Sequence, residues 1–211
     1  MKRLLILTLA VLGPLCALGA CAPTEQADKV LVIVPDGESE DLELMLTAEV
    51  GVITTSLELA GFDVLVASSS GEPLVAEHTT LTPDETLAEV DVADYVGFVV
   101  PCLAVSANSP LDPEIASIVQ GAVAQGKPVA AQTSSVIMLG KAGVLSGKKY
   151  AYVVEWAGDE SFVEGAEYAG SGVVQDGKII TSGVCPFAAA GRGLPDGTAQ
   201  LAEALIAELT G

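Results

Sequence analysis

The residue types in this chain best suited to covalent chemistry are two cysteines, Cys102 and Cys185. Cys102 stands just after the apolar run 95–101 (YVGFVVP), and Cys185 just after IITS ending at Ser182. A thiolate is a nucleophile, and two thiols can also close a disulfide. A second group of polar residues, Thr133-Ser134-Ser135, follows the short apolar run 129–131. Hydroxyls are un-ionised near neutral pH and need a partner base. Carboxylates gather at Glu38, Glu40, Asp41 and Glu43, and again at Asp159-Glu160. Such runs suit calcium or magnesium, but neither has the ligand spacing of a calcium loop. They read as solvated acidic turns, with no metal and no cofactor. His78, the one histidine, lies in a polar stretch and reads as a surface residue. Trp156 reads as packing against a sheet edge.

The segments that must position these residues alternate between two periodicities. Residues 29–35 (KVLVIVP) form a short β-branched run, as a strand buried on both faces requires. Apolar residues at Leu42, Leu46, Val50, Ile53 and Leu57 then recur at helical spacing, and Gly61 stops the helix. Strands are predicted over 62–67, 95–101, 129–131 and 150–154, and helices over 113–125, 134–142 and 198–209. Residues 172–182 read as a hairpin turned at Asp176-Gly177. Alternation of this kind predicts an α/β domain, a flavodoxin-like three-layer sandwich with a mostly parallel sheet and helices on both faces. Ligands in such sheets sit beyond the carboxyl ends of the strands. Segments 36–43, 101–108 and 132–135 are therefore expected to meet there.

The chain has 211 residues, 50% of them hydrophobic, enough for one domain with a real core. With Lys+Arg 9 against Asp+Glu 28 it carries a formal charge of -19. Phosphate contacts need a basic face, so nucleic acid is excluded as a partner. Residues 1–20 have Lys2 and Arg3 before an apolar run and Leu18-Gly19-Ala20 before Cys21. This pattern resembles a bacterial lipoprotein signal, cut before Cys21, whose thiol then takes a diacylglycerol. Its removal takes two positive charges and no negative ones, leaving -21. The expectation is a signal over 1–20, a lipidated tether over 21–28 and one domain over 29–211. The membrane is then a partner through Cys21, in the cell envelope on the periplasmic or cell-surface side. Cys16 leaves with the signal, so Cys102 and Cys185 remain as an even pair in an exported, oxidising setting.

Six punctuated segments in order carry a wider likeness: the opening strand with Glu38 to Leu44, Ala60-Gly61-Phe62-Asp63-Val64, Thr82-Pro83-Asp84, Val90 to Tyr95, Gly143 to Lys149, and Asp176 to Ser182. Together they resemble the DJ-1/PfpI family, of the class I glutamine-amidotransferase-like fold, from about Lys29 to Leu209. The resemblance implies a reactive cysteine on a sharp strand-to-helix turn, a nearby carboxylate, and backbone amides that stabilise developing charge. It places the carboxylate at Glu40 and the nucleophile at Thr133, with Ser134 where many members have histidine and Ser135 at the elbow glycine. The family's Pro-Gly-Gly falls on Pro101-Cys102-Leu103, so its glycines are replaced.

Two functions follow from these departures. The first is a non-catalytic binding or structural role, with Glu40, Cys102, Leu103, Thr133 and Ser134 lining a pocket for a small molecule. The second is an enzyme of hydrolase, deglycase or glyoxalase type using Cys102 or Thr133 with Glu40. In the family fold the loops carrying Cys102 and Cys185 both border the pocket, which implies a disulfide between them. Closing that loop of 83 residues would stabilise the fold by about 4 kcal/mol. Cys102 as a displaced nucleophile is the alternative. Family members often form dimers, and the resemblance extends that expectation to this chain.

Overall fold

A computed structural model describes residues 27–35, 37–154 and 163–211. Seven strands form one sheet in the order β10-β11-β7-β6-β1-β2-β5. They are β1 (Lys29–Ile33), β2 (Asp63–Ser68), β5 (Glu85–Thr86), β6 (Gly97–Val100), β7 (Val129–Gln132), β10 (Val173–Asp176) and β11 (Ile179–Ser182). All neighbours run parallel except β10, which pairs antiparallel with β11. Two small ribbons lie outside it, β3 (Leu74–Val75) with β4 (Thr80–Leu81), and β8 (Lys149–Tyr150) with β9 (Glu167–Tyr168).

The period-two pattern of β1 divides the core. Leu31 and Ile33 point to one face and pack with Ile115, Val119, Ile137 and Leu139. Those residues come from α3 (Pro113–Ala124) and α4 (Ser134–Lys141). Val30 and Val32 point to the other face, where Met45, Ile53, Leu57, Leu201 and Leu205 cover them. That layer consists of α1 (Leu42–Met45), a π-helical turn (Leu46–Val50), α2 (Gly51–Leu59) and α6 (Thr198–Thr210). The three-layer α/β architecture expected from the alternation is therefore present.

Three local expectations change. The strand predicted over 150–154 shrinks to β8, outside the main sheet, because its backbone pairs with β9 and not with β11. The hairpin turn is Gly177-Lys178, one residue later than predicted, since Asp176 still pairs with Ile179. Gly177 takes the positive φ of 62° that the first turn position requires. A short helix not predicted, α5 (Pro186–Arg192), follows β11 with proline in its first turn. The signal over 1–20, Cys21 and the tether up to residue 26 lie outside the described residues, as do Trp156 and Asp159-Glu160. Among the described residues no helix is long and apolar enough to cross a membrane.

Candidate active site

The chain runs from β1 to β2 on one side and returns to β6 on the other. This opens a crevice at the carboxyl ends of β1 and β6. A cavity of about 600 Å³ lies there. The three segments expected to meet do so, contributing Glu40, Cys102, Ser106, Thr133 and Ser134 to its wall. Two further segments join them, one with Tyr152 and Val153, the other with Cys185, Phe187 and Arg192. Gly183 permits this closeness, because a Cβ there would lie 2.6 Å from the Tyr152 carbonyl group.

Thr133 occupies a sharp strand-to-helix turn between β7 and α4, with φ 46° and ψ -111°. A β-branched residue pays about 1–3 kcal/mol for such a backbone. Its amide donates to the Ser182 carbonyl at 2.8 Å, and its hydroxyl to the Gly183 carbonyl at 3.3 Å. The same hydroxyl also reaches the Cys185 sulfur. Its single hydrogen can serve either acceptor. Ser135 donates to the Pro101 carbonyl at 2.6 Å, tying the elbow to the loop after β6. The Ser134 oxygen lies 3.2 Å from the Cys102 sulfur.

The loop after β6 is also bent. Leu103 and Ala104 carry φ of 49° and 51°, a left-handed conformation that costs a non-glycine residue about 1–2 kcal/mol. Glu49 braces the start of this bend. Its two carboxyl oxygens accept from the amides of Cys102 at 2.8 Å and Leu103 at 2.9 Å. Glu49 is fully buried. Burial, and then the nearby Cys185 charge, push its carboxyl well above the ordinary carboxylate range.

Glu40, given the carboxylate role by the resemblance, lies exposed at the cavity wall, its amide donating to the Ala104 carbonyl at 3.4 Å. The carboxyl beneath the loop after β6 is Glu49, outside the acidic turn that holds Glu40. A signal for it existed. Glu49 falls three residues after Leu46 and four before Ile53, on the apolar stripe, where an acid needs a polar partner.

Cys102 and Cys185, the pair expected to form a disulfide, are together but as free, buried thiols. Both line the cavity. Hydrogen bonding from Cys102 lowers the Cys185 thiol to about 6, aided by Thr133 and by the amides of Ala188 and Phe187. The same hydrogen bonding, with burial, pushes Cys102 up, so its proton stays on. The pair is thus biased toward charge on Cys185 and a retained proton on Cys102. Tyr152 keeps its phenolic proton, burial raising it to about 12. Arg192, exposed on the cavity wall, supplies a cation there. Leu103 is buried and does not line the cavity. His78 is exposed, its amide donating to Glu43 at 2.8 Å and its ring 3.6 Å from Glu77. Among the described residues no cluster of three or more metal-ligating side chains occurs.

The chain as a whole has relatives among known proteins. The model of the "DJ-1/PfpI family" matches residues 28–189. An uncharacterized protein of Archaeoglobus fulgidus is 33% identical over 155 residues, 72% of this chain and 87% of that one. A protein of Thermococcus kodakarensis named a deglycase is 30% identical over 155 residues, 73% of this chain and 89% of that one. Among solved structures, Drosophila melanogaster DJ-1beta superposes with TM-score 0.64 at 24% identity, covering 88% of this chain and 92% of its own. A ThiJ/PfpI domain protein from Brachyspira murdochii gives 0.66 at 18% identity, covering 88% and 98%. With all of the described strands and the elbow inside the matched span, this chain belongs to the DJ-1/PfpI family.

Proposed function

We propose that the cavity takes a small reactive carbonyl compound and that Cys185, instead of the elbow residue, is the thiol that adds to it. The Cys185 sulfur attacks the carbonyl carbon, a C–S bond forms, and the carbonyl oxygen takes a proton from water to give a hemithioacetal. One observation carries this reading: Cys185 lines the cavity as a free thiol together with Cys102 and Thr133, whose hydrogen bonding lowers the Cys185 thiol to about 6. A thiolate stabilised in this way is nucleophilic at neutral pH. The deglycase name of the Thermococcus kodakarensis relative supports the same chemical class.

A second reading, a pocket that binds without turnover, is favoured by a different observation. The amides of Cys102 and Leu103 are engaged by Glu49 and so do not face a ligand as charge-stabilising donors. In both readings we place the domain at the membrane, carried by a lipid on Cys21 in the cell envelope, as a monomer or a homodimer.

The test is consumption of methylglyoxal by the full chain in detergent, beside Cys185→Ser and Thr133→Ser. Turnover by the wild type that falls to background in Cys185→Ser is the expected result. Binding of the aldehyde with no turnover, or turnover that survives Cys185→Ser, sinks the thiol reading.

A further inference from the structure

One face of α5 joins the thiol to a cation. Cys185 caps the helix, and Cys185, Ala188 and Arg192 follow at spacings of three and four residues, with Phe187 and Gly191 four apart beside them. All five line the cavity. At about 1.5 Å per residue, the helix carries the chain about 10 Å from Cys185 to Arg192. Arg192 is exposed, and among the described residues no carboxylate forms an ion pair with it. Phe187, Ala188, Val153 and Val154 make the neighbouring wall apolar. Val154 stays 51% exposed, an aliphatic side chain left for a ligand to cover. The cavity of about 600 Å³ falls within the range of about 300–1,000 Å³ that takes ring-bearing molecules, far more than a three-carbon aldehyde fills.

We infer that the carbonyl compound this cavity selects carries a carboxylate separated from its carbonyl by an apolar spacer, and that Arg192 is the residue that reads it. The inference rests on the reading above in one respect, that the carbonyl is held at Cys185. With the carbonyl there, the arginine stem covers part of the span along α5 and leaves a gap of about one aromatic ring. The apolar wall receives the spacer, and the planar guanidinium offers a carboxylate two parallel donors. Charge makes the choice selective. A chain of formal charge -19 repels acids over most of its surface, so a cation at a cavity wall decides where one can settle. Glu40 is the other charged residue lining the cavity and opposes an acid, so the selectivity is the margin of Arg192 over Glu40.

The experiment titrates the full chain, in detergent, with 4-formylbenzoate and with its neutral isostere 4-formylbenzamide, by calorimetry, beside Arg192→Gln and Cys185→Ser. The wild type should bind the acid about fivefold more tightly than the amide, the scale of one exposed charge-assisted contact. In Arg192→Gln the two Kd values should become equal, with that of the amide unmoved. In Cys185→Ser both should weaken by a similar factor, because both aldehydes lose the sulfur, while the preference for the acid remains. Equal affinities in the wild type, tighter binding of the amide, or a preference that survives Arg192→Gln would overturn the inference. The wild-type ratio stands even where a variant fails to fold. Unchanged affinities in Cys185→Ser beside an intact preference for the acid defeat only the thiol reading. Weakened affinities in Cys185→Ser with no preference in the wild type defeat only this one.

Discussion

The reactivity of this site rests on where one proton lies. Cys102 and Cys185 differ little as residues, but their surroundings separate them: hydrogen bonding from Cys102 and Thr133 lowers Cys185, while the hydrogen bonding with Cys185 and then burial raise Cys102. The alkylation rate of Cys185, followed by iodoacetamide labelling and peptide mapping, should therefore be half-maximal near pH 6, well below the ordinary thiol value of 9.0. A midpoint above pH 8 would remove the basis for a thiolate at neutral pH. The linkage has a definite sign. A depressed thiol adds folded-state stability that is complete above 9.0 and is lost as pH falls through about 6. Glu49 acts in the opposite sense. Its raised carboxyl favours the folded state most below its ordinary value of 4.5, and that contribution fades as pH rises.

At the scale of elements, the site is built from turns that hold non-glycine residues in glycine-like conformations. Thr133 on its elbow is the clearest case. Replacing it by glycine releases about 1–3 kcal/mol of backbone strain, set against about 0.5–1 kcal/mol of added chain entropy and the lost hydroxyl. Replacing it by valine keeps the strain and leaves the Gly183 carbonyl without its donor, at a cost of about 1 kcal/mol. Thermal unfolding should thus find Thr133→Gly more stable than Thr133→Val. Both variants should move the Cys185 alkylation midpoint upward, because both lack the hydroxyl. An unmoved midpoint would mean that the hydroxyl hydrogen stays on Gly183. The π-helical turn is the other element with a local consequence. Gly51 donates to Leu46, five residues back, and Glu49 sits within that wider turn. Wider turns of this kind recur at functional sites.

For the whole molecule, the formal charge of -19 and the pattern around Cys21 argue for an acidic domain held at a surface by lipid and not by charge. Cell fractionation tests this: a Cys21→Ala chain should lose radiolabelled fatty acid and leave the membrane fraction. Continued labelling of that variant would refute the anchor. The alternation of β-branched runs and helical stripes was enough to predict the layers, because burial on both faces leaves a periodicity that survives without a partner. Thr133 was placed at the elbow only through the family likeness. Glu49 and α5 were not found, although a lone acid on an apolar stripe and Pro186 after Cys185 were local signals for them. The pairing of Cys102 with Cys185 could be implied only through the family likeness. Sequence by itself determined the strand and helix periods, the presence of two thiols in the domain and the excess of acid. Which thiol is lowered and which raised, and that Glu49 rather than Glu40 lies beneath the loop, were decided by tertiary structure. Hydrogen bonding and desolvation depend on distances of a few ångströms between segments far apart in the chain, and no residue's identity contains those distances.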